Sequence, residues 1–286
     1  PVREGERGLR QSDAIFHHVR NLPQVLSDVR EAVKGGTVLA VGCSVSPRRA
    51  EDSYMPCFLS GMAAAEAFAA ALNLPVVRVS HQEGHIMAAL YSAGAERLLS
   101  AERFAAFHVS GGTTEVLSVT PQAGRFDVRI IGGSQDLHAG QAIDRAGVMM
   151  GMGFPCGKEL EAAAADFRGT LPAPRVCVKD GWCHFSGLEN QAEKLWRETS
   201  DRALVSAYVL RFCAGTLEKM TEQLDAKEPH LPIVYAGGVM SNRYLQSVLS
   251  RRADTYFAAP EFSADNAAGV ALLTRRCMTG EDAAWQ

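Results

Sequence analysis

The sequence predicts an α/β protein of two lobes, and three observations carry that reading. Short apolar runs alternate with helix-periodic segments near both ends of the chain, a β-textured stretch lies between them, and a block of four amphipathic helical segments follows it. A single doubly wound sheet is the alternative that the same alternation allows. The lobes are placed at residues 1–107 and 108–286, with a ligand expected in a cleft.

The first run, Thr37 to Val41 (TVLAV), reads as a strand ending at Gly42. A loop rich in Ser, Pro and Arg follows, then an alanine-rich helix from about Gly61 to Leu72. PVVRV at residues 75–79 is a second buried strand, and the helix opening at His81 has Ile86, Ala89 and Leu90 on neighbouring positions. From Phe104 to Gly133 the runs FAAFHV, EVLSV and DVRIIGG, separated by Ser-Gly-Gly-Thr and Pro-Gln-Ala-Gly breaks, read as antiparallel strands. Helical spacing then covers residues 139–152, 158–167, 188–199 and 203–226. A strand at 233–236, a helix at 243–249, a strand at 255–258 and a helix at 266–277 complete the pattern.

The 286 residues and 47% hydrophobic content suffice for one large core or two smaller ones. A net charge of −3 gives no global field for a polyanion, so any RNA contact must be local, at pairs such as Arg251-Arg252 and Arg275-Arg276, or supplied by a partner. Seven widely spaced cysteines without a CxxC pair fit neither a disulfide framework nor a thiolate zinc site, and point to a reducing cytoplasm. No run approaches the roughly 20 apolar residues of a membrane span, and no signal-peptide core opens the sequence. The opening PVREGERGLRQSD reads like the middle of a protein, and a preceding piece is expected.

Five constellations could carry chemistry. His81 and His85 lie four residues apart on one helix face, where two imidazoles share a metal or cap the helix. Glu83 is turned roughly 200° from His81, away from a metal-bound water, which disfavours a metalloprotease. Val109-Ser110-Gly111-Gly112-Thr113 follows an apolar strand, as an anion-binding turn or a plain hairpin. Asp144 lies on a small-residue helix that runs into a Gly-Phe-Pro-Cys-Gly loop; it can accept from a ribose or amine, and Gly157 admits a ligand to the backbone. Gly237 and Gly238 end a buried strand before Asn242, which suits a nucleotide or a helix cap. Asp265 opens the last helix as its cap, or completes a two-histidine, one-carboxylate metal site.

Taken in order, HQEGH, VSGGTTE, the Asp144 to Gly157 stretch, FSGLENQAEK at Phe185, AGGVMSNRYL and PEFSADNAAGVAL resemble the successive motifs of the TsaD-type family of tRNA-adenosine threonylcarbamoyltransferases. The resemblance runs from about Thr37 to Cys277 and implies the actin and hexokinase-like (ASKHA) two-lobed fold. It implies one divalent metal, iron or zinc, on His81, His85 and Asp265. It also implies contacts from residues 109–113, Asp144, Gly157 and Asn242 to an adenine nucleotide or threonylcarbamoyl-AMP. The implied partners are tRNA, a related non-catalytic subunit and an adenylate-forming enzyme, and the implied reaction moves threonylcarbamoyl to adenosine N6 with release of AMP.

Three departures mark the sequence. The family begins with a strand and an Asp-Thr-Ser-type phosphate loop, which here would precede Pro1. Thr113 stands where a His is common, and Cys156 where the family has a Gly. The loop CSVSPRRAEDSYMPCF lacks Gly-Pro-Gly character and carries Arg48 and Arg49. A divergent nucleotide- and metal-binding paralogue acting on a small molecule, and a catalytically silent scaffold, are the alternatives these departures raise.

Overall fold

The computed structural model describes residues 10–262 and 266–280. In chain order its first elements are α1 (Gln11–Ala32), β1 (Val41–Ser46), α2 (Cys57–Leu72), β2 (Val76–Ser80), α3 (His81–Ser92), β3 (Phe104–Val109), β4 (Thr114–Gln122) and β5 (Arg125–Ser134). Then come α4 (Ala139–Met149), α5 (Gly157–Ala165), β6 (Cys177–Lys179), β7 (Trp182–His184), α6 (Ser186–Thr199), α7 (Arg202–Lys227), β8 (Ile233–Ala236), α8 (Arg243–Leu249), β9 (Thr255–Phe257) and α9 (Ala267–Thr279). They form two compact units that interleave in sequence. The first comprises the described residues up to Ala88, then Gln122–Phe126 and the described residues from 266 onward; the second comprises Ala89–Pro121 and the described residues from Asp127 to 262.

In the first unit β1 and β2 pair in parallel, Val41 opposite Val76 and Ser44 opposite Val79, and both α2 and α9 pack on them. The strand expected at residues 37–41 begins where that segment ends. Gly42 does not stop it: a Cβ there would lie 2.0 Å from Thr274 Oγ1 and 3.1 Å from Val270 Cγ1, so the glycine marks the close passage of α9. Helix α1 was not expected. None of its residues is buried, so it lacks the burial that normally stabilises a helix, although Phe16, Val19, Val25, Leu26 and Val29 carry a broken apolar spacing.

The second unit is built on a seven-stranded sheet in the order β6-β7-β5-β4-β3-β8-β9. β3 pairs antiparallel with β4 and parallel with β8, which pairs parallel with β9. The antiparallel stretch and the closing alternation therefore have the pairing that their sequence textures require. Helices α4 to α8 bury their apolar faces in one cluster with β3 and β8, with α7 contributing ten residues. Tyr235 lies between Phe107 and Phe257, with ring centroids at 4.8 and 5.3 Å, and shares a 2.6 Å hydrogen bond with Thr221.

The β6–β7 hairpin was not anticipated, because three residues per strand show no periodicity. Its signal is the Asp180-Gly181 pair, both at positive φ (55° and 87°), the turn chemistry that joins two strands directly.

The connection from β5 to α4 is fixed by Asp136. Burial pushes its carboxyl up, but donation by the Ser186 hydroxyl (2.5 Å) and the N–H groups of Phe185 (2.7 Å), Ser186 (3.1 Å) and Leu137 (2.6 Å) outweighs it, leaving a pKa of about 2 against an ordinary 3.8. A depressed carboxylate stabilises the fold above its unfolded pKa, and that contribution disappears as pH falls toward 2. Asp136→Asn is therefore expected to cost about 1–2 kcal/mol at pH 7, after allowance for partial exposure, and to flatten the decline in stability between about pH 4 and 2. Urea unfolding at several pH values measures both, and parallel declines in the two proteins would refute the assignment.

Candidate functional site

The first part of the site is set by the entry into α3. Ser80 and Glu83 form a reciprocal cap, Ser80 Oγ accepting from the Glu83 N–H (3.2 Å) while Glu83 Oε2 accepts from Ser80 N and Oγ, both at 2.8 Å. The Ser-x-x-Glu spacing that signals this cap stands in the sequence, where the histidines drew attention instead. Glu83 is 1% exposed; its Oε1 accepts from Phe126 N at 3.3 Å and the Arg49 guanidinium lies 3.5 Å from Oε2. The carboxylate is thus engaged in holding the helix start, which agrees with its rejection as a protease base.

With the helix so begun, His81 and His85 stand one turn apart and their Nε2 atoms approach to 3.0 Å. Two metal–nitrogen bonds of about 2.1 Å meeting near a right angle give that same separation, so the pair fits a shared cation. Phe58 packs edge-on against His81 at 5.5 Å. Burial and the His85 ring lower the pKa of His81, against the effect of Asn266, and so favour the neutral imidazole that a metal requires.

Asn266 is a site residue the sequence reading missed. Its Nδ2 donates to the His81 carbonyl at 2.6 Å and its Oδ1 accepts from Ser44 Oγ at 2.9 Å, tying β1 and the approach to α9 to the first turn of α3. The glycine of HQEGH makes room for it: a Cβ on Gly84 would fall 2.2 Å from Asn266 Nδ2. Asp265, expected as the third ligand, lies outside the described residues. Among the described residues no group of three or more His, Cys, Asp and Glu converges on a metal position. A cavity of 1090 Å³, bounded in part by Ser44, Pro47, Phe58, His81 and Asn266, opens beside the His81 imidazole.

The second part belongs to the other unit. The adjacent parallel strands β3 and β8 deliver Val109–Thr113 and Gly237-Gly238 side by side at their carboxyl ends. Ser110 Oγ accepts from the N–H groups of Gly112 (3.3 Å) and Thr113 (3.1 Å), so both donors converge on one oxygen position. Gly237, at φ 98°, presses on the same loop, where a Cβ would sit 2.3 Å from the Val109 carbonyl oxygen. Gly140 opens α4 against it too: its N–H donates to the Ser110 carbonyl at 3.1 Å, and a Cβ would meet Gly111 at 2.7 Å. Three segments distant in sequence thereby form one backbone cradle.

Asp144, Gly157 and Asn242 lie around the α4–α5 and α8 ends. Asp144 Oδ1 accepts from Cys156 N at 2.8 Å and braces the loop before α5; burial raises its pKa and this bond opposes the rise. Gly157 is the exposed first residue of α5, with open space where a Cβ would stand. Asn242 caps α8 by accepting from Leu245 N at 3.1 Å, and Glu161 of α5 accepts from the neighbouring Arg243 N at 2.8 Å. A cavity of 670 Å³ is lined by Lys158, Glu161, Phe167, Leu210, Arg243 and Tyr244, among others, residues that follow Gly157 and Asn242 in the chain, although neither of those two lines it. Cys156 fills the corner of α4: a Cβ on Gly147 would meet its Cβ at 2.3 Å, so the thiol that stands for a family glycine is accommodated by a glycine opposite.

Three comparisons bear on these motifs. The chain superposes on HypF, solved in a phosphate- and nucleotide-bound form, with a TM-score of 0.56 and 13% identity, over 78% of this chain and 38% of that one; the fold is of the ASKHA type. It is 32% identical over 243 residues to the tRNA N6-adenosine threonylcarbamoyltransferase of Streptococcus mutans, covering 82% of this chain and 68% of the relative. To the protein of the same name from Nitrosospira multiformis it is 34% identical, over 78% of this chain and 67% of that one. The family described as TsaD, tRNA N6-adenosine threonylcarbamoyltransferase, matches residues 54–272, more than half of the chain, and the chain belongs to that family.

Proposed function

We propose that this chain transfers a threonylcarbamoyl group from threonylcarbamoyl-AMP to N6 of an adenosine in tRNA, with an iron or zinc ion held by His81, His85 and Asp265. The observation that carries the reading is the backbone cradle, in which missing side chains at Gly237 and Gly140 let two distant segments close on the Val109–Thr113 loop. Open space at the Cβ positions of Gly111 and Gly112 leaves the loop backbone approachable, which suits the phosphate of a nucleotide. The 670 Å³ cavity that follows Gly157 and Asn242 in the chain, where Phe167, Leu210 and Tyr244 meet Lys158, Glu161 and Arg243, has the size for its adenosine.

In the transfer, a bond forms between N6 and the carbamoyl carbon, the bond from that carbon to the phosphate oxygen breaks, AMP leaves and N6 loses a proton. A bound divalent ion supplies Lewis acidity for the departing charge. The residues of the chain hold the nucleotide, keep His81 neutral and fix the imidazoles through the cap at Ser80 and Glu83. The target base is reached only in an unpaired loop, which fits an anticodon stem-loop. A related non-catalytic subunit and an adenylate-forming enzyme complete the proposed system.

The test is reconstitution of the chain with those two partners, threonine, bicarbonate, ATP and tRNA, followed by mass analysis of the nucleosides. Threonylcarbamoyladenosine is expected, and AMP release without tRNA modification would direct the reading to a small-molecule acceptor. His81→Ala is expected to abolish stoichiometric metal and lower modification by at least about 100-fold. Metal retained in that variant would remove the histidine pair from the site.

A further inference from the structure

The 670 Å³ cavity has two chemically different ends, and a glycine beside it fixes the second. Its polar lining gathers where α5 meets the segment that leads into α8. Glu161 Oε1 accepts from Arg243 N at 2.8 Å, and Ser241, which also lines the cavity, donates through Oγ to the Gly238 carbonyl at 2.5 Å. Gly238 follows Gly237 of the backbone cradle, so this end adjoins the position given to the phosphate.

The other end is apolar. Ala164 and Ala165 close α5, Phe167 and Leu171 follow them, and α7 contributes Ala207 and Leu210. Lys158 and Ala165 stand about 10 Å apart along the α5 axis, so the two ends are separated by the length of a nucleoside.

Phe167 is half-buried at the apolar end, and its ring is held in place. Its N–H donates to Ala164 O at 3.2 Å, and Arg168 Nη1 donates to the Phe167 carbonyl at 3.1 Å. The chain then turns back onto the ring at Gly169, where a Cβ would lie 2.7 Å from Cζ and 3.1 Å from Cε2. Arg211 of α7 donates to the Leu171 carbonyl at 3.4 Å and holds the segment beyond. The faces of a base are apolar π surfaces, and a fixed ring in an apolar end is a surface on which one stacks. Tyr244, the other aromatic residue of the lining, is 39% exposed and follows Arg243 at the polar end.

We propose that Phe167 is the stacking surface for the adenine of the nucleotide, with Gly169 setting its ring, and that the ligand runs from the glycine cradle through the polar end to this ring. The proposal rests on the nucleotide reading above and adds to it the direction of the ligand and the residue that selects for a base.

The experiment is calorimetry and fluorescence on the full chain, with AMP, ribose 5-phosphate and 2-aminopurine ribonucleotide, whose emission is quenched by stacking, as probes. Phe167→Ala is expected to weaken AMP binding about tenfold, to leave ribose 5-phosphate binding unchanged and to abolish the quenching of bound 2-aminopurine; Phe167→Trp restores AMP affinity. Gly169→Ala, which pushes the ring aside without deleting it, is expected to weaken AMP by a smaller factor and to leave ribose 5-phosphate unchanged. AMP affinity indifferent to Phe167→Ala, or quenching that survives it, overturns the stacking surface and leaves the nucleotide reading intact. Equal losses for AMP and ribose 5-phosphate assign Phe167 to the fold and also overturn it. If the unaltered chain binds neither AMP nor ribose 5-phosphate, the stacking surface and the nucleotide reading fall together.

Discussion

Gly269→Ala is expected to unfold the first unit at a temperature about 10 °C below that of the unaltered chain, a loss of about 3–4 kcal/mol. A Cβ at this position would stand 1.8 Å from the Gly84 carbonyl oxygen and 2.9 Å from Ala88 N, both backbone atoms of α3 that no rotamer change can move. Helix α9 must retreat by more than an ångström, taking Asn266 away from the His81 carbonyl. Metal at the proposed histidine site should fall in parallel, so calorimetry and metal analysis on one sample test both consequences. Gly61→Ala is the control: it lies in α2 with nothing within 4 Å of its Cβ position, and there the change is expected to be neutral or slightly stabilising. An unaltered melting temperature for Gly269→Ala would show that α9 does not rest on α3 as described.

Glu83→Ala is the second large effect, with an expected loss of about 3 kcal/mol. Removing the side chain strands the N–H groups of Ser80 and Phe126, leaves the Ser80 hydroxyl without its acceptor and opens a void where the carboxylate is 1% exposed. Glu83→Gln preserves the shape and one acceptor, and should recover about half of the loss. Because the cap sets the first turn of α3, metal affinity is expected to follow stability across the series Glu, Gln, Ala. Denaturant titration and metal titration give the two scales; a Glu83→Ala variant with native stability but no metal would instead make Glu83 part of the metal site itself.

The parts of the fold that were legible in the sequence are those in which one face is buried. β8 and α8 have the expected limits of residues 233–236 and 243–249, since an apolar run closed by Gly-Gly and a cap Asn leaves little latitude. The helix at His81 was equally clear. What escaped has physical causes: α1 buries no residue, β6 and β7 are too short for alternation, and Gly42 was taken as a stop when it marks a helix crossing. For the site, residue types with chemistry stood out, whereas Glu83 and Asn266 act by fixing other groups. Asn266 could not have been found by spacing, because its partner is 185 residues away.

That separation has a consequence for vectorial synthesis. β1, β2 and the start of α3 leave the ribosome well before the helix that packs on β1 and presses against Gly84, because the described residues from Asp127 to 262 of the second unit come between them. Until it arrives, the small parallel pair of strands has an uncovered face, and closing so long a loop is a slow step that leaves apolar surface open to other chains. Nascent chains of this protein should therefore depend on chaperones until α9 has been made, and loss of α9 should leave β1 and β2 uncovered and prone to aggregation.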